Sequence, residues 1–198
     1  MKVGVLSLQG DVREHVSALI ACGINPIEVR TGSELAEVDA LVLPGGESTT
    51  IAQLSEIFGI FEPIKQRIAA GMPVYGSCAG MILLADSILD AKQGQKTFGG
   101  LDITVRRNAF GRQVDSFETD LIFDDGSSDL IKAVFIRAPW VEKVGAGVKV
   151  LALVDYHPVA VRSTTLLATS FHPELTADHR IHRYFIEEVA KPALEKVQ

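Results

Sequence analysis

Cysteine is nearly absent: Cys22 and Cys78 are the two in a chain of 198 residues. Two cysteines make no disulfide framework, and neither sits in a spacing that zinc sites use. Clustered Lys and Arg are lacking as well. The formal charge is −6, from 19 basic and 25 acidic residues, so the surface that neutralises phosphates is missing and nucleic acid is not an expected partner. No apolar run reaches the ~20 residues of a membrane span. The stretch from Met1 to Gly10 has a short apolar run but neither the h-region nor the small-residue cleavage site of a signal peptide. These absences predict a cytoplasmic protein, off the membrane, with reduced thiols. What is present suits a folded domain: 47% of residues are hydrophobic and 22% charged. The length favours one domain over residues 1–198.

Apolar patterning sets the fold class. Val3 to Leu8 reads as a buried strand, broken at Gly10-Asp11. Val12, Val16, Leu19 and Ile20 then mark one helix face, stopped at Gly23. Strands follow at Pro26–Val29, Ala40–Leu43 and Pro73–Gly76. Helices are expected near Ser48, near Pro63 and from Ala79 onward. Short connections and strand–helix alternation to about residue 90 predict an α/β, doubly wound, mostly parallel sheet. In the second half, strand-like runs at 102–105, 133–136, 148–154, 159–161 and 166–171 lack helices between them, which predicts antiparallel extensions. A helix from His179 to Val197 closes the chain. Doubly wound sheets bind ligands beyond the carboxyl ends of their strands.

One thiol lies at such an end. Gly76-Ser77-Cys78-Ala79-Gly80 sits between a strand and a helix, a cysteine version of the Gly-x-Ser-x-Gly elbow. A sharp turn there projects the nucleophile, and the following helix start favours a thiolate. Without that context, a lone cysteine is more often inert packing. Cys22, near the end of an amphipathic helix, is read that way.

A thiol elbow needs a base. His172 follows the last apolar run, with Pro173 fixing the backbone and Glu174 two residues on. Residues i and i+2 of an extended segment point the same way, so Glu174 can hold the imidazole tautomer. The plainer reading is a strand-end histidine beside a solvated glutamate. His15 and His157 are read as surface or structural. His179 and His182, at i, i+3, lack supporting ligands, so no metal is expected.

Pro44-Gly45-Gly46-Glu47-Ser48 follows the third strand. Its backbone N–H groups can donate to an oxyanion. A phosphate loop is the rival, but its lysine pattern is missing and Glu47 repels phosphate. Glu47 suits an ammonium group; the plainer reading is a helix capped by Ser48. The arginines of 106–112, and Arg137 after Ile136, offer forks for a carboxylate. Surface ion pairing is the alternative, favoured for Arg112.

Together the elbow, the Pro-Gly-Gly loop and the late His-x-Glu resemble the class I, triad-type glutamine amidotransferases. Leu8–His15, Leu43–Thr50, Arg107–Phe117 and Ser170–Thr176 narrow the resemblance to the glutaminase subunits of pyridoxal 5′-phosphate synthase, across essentially the whole chain. The resemblance implies a flavodoxin-like glutaminase with Cys78, His172 and Glu174 as its triad, needing no cofactor. It implies oxyanion N–H groups from Gly46 and Ala79. Gly46, Glu47, Ser48, Arg107 (rather than Arg106), Ile136 and Arg137 would contact L-glutamine. Ammonia would pass to a separate barrel-shaped synthase subunit, forming a hetero-oligomer. Ser77 stands where the family suggests threonine; the hydroxyl is kept. Three rivals remain at this stage: another cysteine hydrolase on the same fold, a binding subunit that merely retains the elbow, and a glutaminase serving a different synthase. Helix 1 and Gln9-Gly10 are candidates for the partner face.

Overall fold

In the computed structural model, which describes residues 1–107, 109 and 116–196, strands and helices alternate as expected through the first half. The order is β1 (Val3–Leu6), α1 (Val12–Ala21), β2 (Ile27–Val29), α2 (Gly32–Ala36), β3 (Ala40–Leu43), α3 (Ser48–Ile57), α4 (Phe61–Ala69), β4 (Val74–Ser77) and α5 (Ala79–Leu84). Strands then dominate: β5 (Ala85–Ile88), β6 (Leu101–Arg106), β7 (Ser116–Leu121), β8 (Ile131–Ile136), β9 (Trp140–Val144), β10 (Lys149–Val154), β11 (His157–Arg162) and β12 (Leu166–Thr169). A 3₁₀ turn (Pro173–Leu175), α6 (Arg180–Tyr184), a π-helical segment (Phe185–Ala190) and α7 (Lys191–Glu195) follow.

The main sheet has seven strands in the order β10-β11-β12-β4-β3-β1-β2. β2, β1, β3, β4 and β12 are parallel, while β11 and β10 extend the sheet antiparallel. The 2-1-3-4 order at one end is that of flavodoxin-like sheets, with the order of strand addition reversing between β1 and β3. Both faces are buried, which is why β3 reads Ala-Leu-Val-Leu without polar alternation. Ala40 and Val42 join a core with α1 and the C-terminal helices; Leu41 and Leu43 join one with α2 to α5. Two smaller sheets accompany the main one: β5-β6-β9, in which β5 pairs with β6 in parallel and β9 with β6 antiparallel, and the antiparallel β7-β8 hairpin.

Four expectations are corrected. The helix starting at Ala79 ends at Leu84, and the chain turns directly into β5 because Ala85 pairs with Leu101. On α1 the buried face is His15, Ala18 and Leu19; Ile20 is 56% exposed. The closing helix is interrupted by its π segment, which shifts which side chains meet the sheet. Its last expected residue, Val197, lies outside the described residues. Finally, α3 is capped by Glu47, whose side chain accepts from the Thr50 N–H, and Ser48 is the first helical residue.

The elbow between β4 and α5 depends on two glycines in contact. A Cβ on Gly76 would lie 2.4 Å from the Gly80 carbonyl carbon, and one on Gly80 would lie 2.5 Å from the Leu43 oxygen. Neither backbone atom can give way, so α5 packs this closely against β4 and β3 only without side chains at these two positions. Gly80→Ala should therefore lower unfolding free energy by about 1–3 kcal/mol in urea titrations. Gly147→Ala, where nothing lies within 4 Å of the new carbon, should change it by less than about 0.5 kcal/mol.

Candidate active site

Loops at the carboxyl ends of β1, β3, β4 and β12 converge with the ends of β6 and β8. They enclose a cleft of about 380 Å³ lined by Cys78 and His172 together with Gly46, Glu47, Ser48, Ala79, Arg107, Ile136 and Arg137. Nine of the ten residues singled out in the sequence thus share one cavity. The tenth, Glu174, is buried behind His172.

Cys78 has φ 47° and ψ −98°. A side-chain residue at positive φ is strained, and such strain persists only where the surroundings enforce it. Here the Cys78 N–H donates to the Thr169 carbonyl at 2.7 Å, locking the turn to β12. The thiol lies 3.8 Å from the Ile136 carbonyl oxygen. Cys22 is partly buried on α1's far end, its thiol 3.8 Å from the His179 carbonyl; burial raises its pKa, as suits packing.

His172 is 4% exposed. Its Nδ1 donates to Glu174 Oε1 at 2.8 Å and lies 3.2 Å from Asp11 Oδ2. Burial alone would depress the imidazole pKa, but hydrogen bonds to Asp11, Cys78 and Glu174 outweigh it and push the value up to about 12. Burial likewise opposes ionisation of Glu174, and His15 and His172 more than offset it, holding the carboxyl well below its ordinary range. His172 is therefore a proton holder and Glu174 an anion at neutral pH.

Glu47 divides its oxygens. Oε2 caps α3 through Thr50 N–H at 2.8 Å and also accepts from the Thr49 and Thr50 hydroxyls. Oε1 faces the cleft, 3.3 Å from Arg107 Nη2. Burial disfavours the charged carboxylate, yet these threonine bonds lower its pKa. Arg107 also donates to Gln95 at 2.8 Å. Arg106 pairs instead with Glu142 on the exposed side of β9, so Arg107 is the cleft arginine. Arg137 follows β8 with φ 44°, the second strained non-glycine residue at the cleft. Arg112 and the motif residues Asn108 and Phe110 to Asp115 lie outside the described residues.

Three features escaped the sequence reading. Asp11 reaches His172 from the start of α1; its place beyond β1 was the available signal. Gln9, read as a candidate partner face, lines the cleft, and its Oε1 accepts from the Glu47 N–H at 2.9 Å. His15 and His182 are wholly buried and within hydrogen-bond distance of each other, 2.9 Å apart, behind Glu174. Asp11 and His15 are one helical turn apart, which was the clue. His157 begins β11 and stacks on Trp140 at 3.7 Å, away from the cleft.

Asp11, His172 and Glu174 bring ligand-type atoms within 4.8 Å of one another. However, the His172 nitrogen among them faces two carboxylates, which call for an N–H rather than the lone pair a metal needs. Among the described residues, no helix is long and apolar enough to cross a membrane.

The chain is 62% identical over 188 residues to a pyridoxal 5′-phosphate synthase subunit PdxT from Parafrankia sp. (strain EAN1pec), covering 95% of this chain and 93% of that one. It is 59% identical over 187 residues to PdxT of Streptomyces coelicolor, covering 94% and 93%. A solved crystal structure of a glutamine amidotransferase superposes with TM-score 0.87 at 49% identity, covering 93% of this chain and 97% of that one. The model of the SNO glutamine amidotransferase family matches residues 5–191, and the chain belongs to that family.

Proposed function

We propose that this chain is a single glutaminase domain that hydrolyses L-glutamine to L-glutamate and ammonia, using Cys78, His172 and Glu174. The observation that carries the reading is Cys78 at positive φ, facing the same cleft as His172 and Arg107. His172 holds the proton that Cys78 gives up, and the thiolate attacks the side-chain amide carbon of glutamine. Backbone N–H groups of Gly46 and Ala79 stabilise the oxyanion, each worth roughly 3 kcal/mol. The C–N bond then breaks, His172 protonates the departing nitrogen, and ammonia leaves. Water cleaves the γ-glutamyl thioester and restores the thiol. Glu174 keeps His172 oriented throughout.

Recognition follows from charge. Arg107 and Arg137 offer guanidinium forks to the α-carboxylate. Glu47 Oε1 offers a partner to the α-ammonium. Ser48 and the Ile136 backbone complete the contacts. A peptidase would not need this double clamp for a free amino acid, which favours glutamine over the other cysteine-hydrolase reading.

The destination of the ammonia rests on the relatives, which are named as subunits of pyridoxal 5′-phosphate synthase. The chain is accordingly a cytoplasmic subunit of a hetero-oligomer with a synthase that consumes ammonia. Glutamine-dependent pyridoxal phosphate formation on mixing the two subunits tests this; ammonia release without any such product would refute it.

Three outcomes are expected. Cys78→Ala, assayed with the synthase present, should lose glutaminase turnover by about 10⁴-fold or more, and unchanged turnover would sink the mechanism. Arg107→Ala should raise KM for glutamine about 10- to 100-fold, the equivalent of about 1.5–3 kcal/mol for a charge-assisted bond, with kcat much less affected. Stability should also follow pH from both sides. The stabilisation from Glu174 is present above its unfolded value of 4.5 and lost as pH falls through its depressed native one. That from His172 is full below 6.5 and lost as pH rises toward about 12. In urea titrations, Glu174→Gln should flatten the acid limb and His172→Gln the alkaline limb.

A further inference from the structure

Behind the triad lies a second buried layer that the reaction above does not use. His15 from α1, Ser77 from β4 and His182 from α6 are all completely buried. His182 Nε2 lies 2.9 Å from His15 Nδ1. His15 Nε2 lies 2.9 Å from Ser77 Oγ and 3.4 Å from Glu174 Oε1. Ser77 Oγ donates to the same Glu174 oxygen at 3.3 Å. Among the described residues, Glu174 Oε2 and His182 Nδ1 have no partner.

Donor and acceptor counting orders the protons. A carboxylate oxygen only accepts. Ser77 spends its hydroxyl proton on Glu174, so a lone pair faces His15, and His15 Nε2 must carry a proton. With His15 neutral, its Nδ1 accepts, and His182 carries its proton on Nε2. That leaves a bare lone pair at His182 Nδ1, the atom without a partner. The opposite tautomer would strand a buried N–H donor there, which costs more than an unfilled lone pair. Every proton in the chain thus points toward Glu174 Oε1, the oxygen that also accepts from His172.

We infer that His15, oriented by His182 and acting with Ser77, is a positioning residue that holds Glu174 Oε1 against His172 during glutamine hydrolysis. The inference rests on the triad reading above. Ser77 and His172 donate to one oxygen, with the His15 N–H shared between Ser77 and that same oxygen, while among the described residues the other oxygen has no donor, so the carboxylate is fixed in rotation as well as in charge. Without the His15 N–H, Glu174 is a buried anion with fewer donors, and its grip on the His172 proton loosens. The titratable groups facing Glu174 are His172 from its own turn, His15 from α1, Tyr75 from β4 and His182 from α6; Asp11 faces His172.

The test compares His15→Leu, His15→Gln and Glu174→Gln, with kcat and KM for glutamine measured across pH in the presence of the synthase. Glutamine's amide nitrogen stands near the imidazole Nε2 position and keeps a donor; leucine does not. His15→Leu should lower kcat about 10- to 100-fold with KM little changed, and should move the alkaline limb of the kcat profile to lower pH. His15→Gln should recover most of both. Wild-type kcat and pH profile in His15→Leu, beside a disabled Glu174→Gln, would overturn the inference alone. So would His15→Gln falling as low as His15→Leu. Wild-type kcat in Glu174→Gln would overturn the triad itself. Should the leucine variant fail to fold, imidazole nitrogen shifts of the unaltered protein decide: Nε2–H tautomers at His15 and His182 support the inference, and an Nδ1–H tautomer at His182 overturns it.

Discussion

The contact between Gly76 and Gly80 is the constraint on which the site depends. It lets α5 leave β4 at a sharp angle, and that angle forces Cys78 to φ 47°. The strain is held in place from the neighbouring strand, because Cys78 N–H donates to Thr169. The same β4–β12 pairing, with Ser77 opposite Thr169, sets where His172 emerges three residues later. Nucleophile and base therefore stand on adjacent strands, and their separation is a matter of sheet register. A one-residue slip would turn both away, but the buried runs on each face forbid it.

Burial of Glu174 would be unfavourable for an isolated anion, since desolvation of a carboxylate costs several kcal/mol. It is tolerated because His172, His15 and Ser77 all face one of its oxygens. The triad is thus less a row of three side chains than the exposed end of a longer buried network. Wall and machinery coincide there: Tyr75, wholly buried, packs edge-on against both His15 and His182.

Legibility varied with how local the signal was. The parallel half of the fold was readable because β1, β3 and β4 are buried on both faces and each ends within a few residues of a glycine. The elbow and His172 were readable because each joins a strand end to a chemically distinctive residue. β5 was not, since Ala85 to Ile88 continues an apolar helix without a break and becomes a strand only by pairing with distant Leu101. β7, Ser-Phe-Glu-Thr-Asp-Leu, alternates but is largely polar, and its Phe117 declares itself only when stacked on Phe135 at 4.6 Å. The histidines were the instructive failure. A histidine on a helix face carries no mark of burial, and only the convergence of α1, β4 and α6 makes His15 and His182 interior. The capping of α3 by Glu47 rather than Ser48 is a related case, because either residue type serves and loop geometry chooses.

Glu47 joins local folding to ligand choice. One of its oxygens ends α3 and the other looks into the cleft beside Arg107. A substitution that changed which amino acid the cleft admits would also unfasten the first turn of that helix, and with it the loop that Gln9 steadies. Drift toward a new substrate at this position is therefore resisted by the fold itself, before selection on activity acts at all.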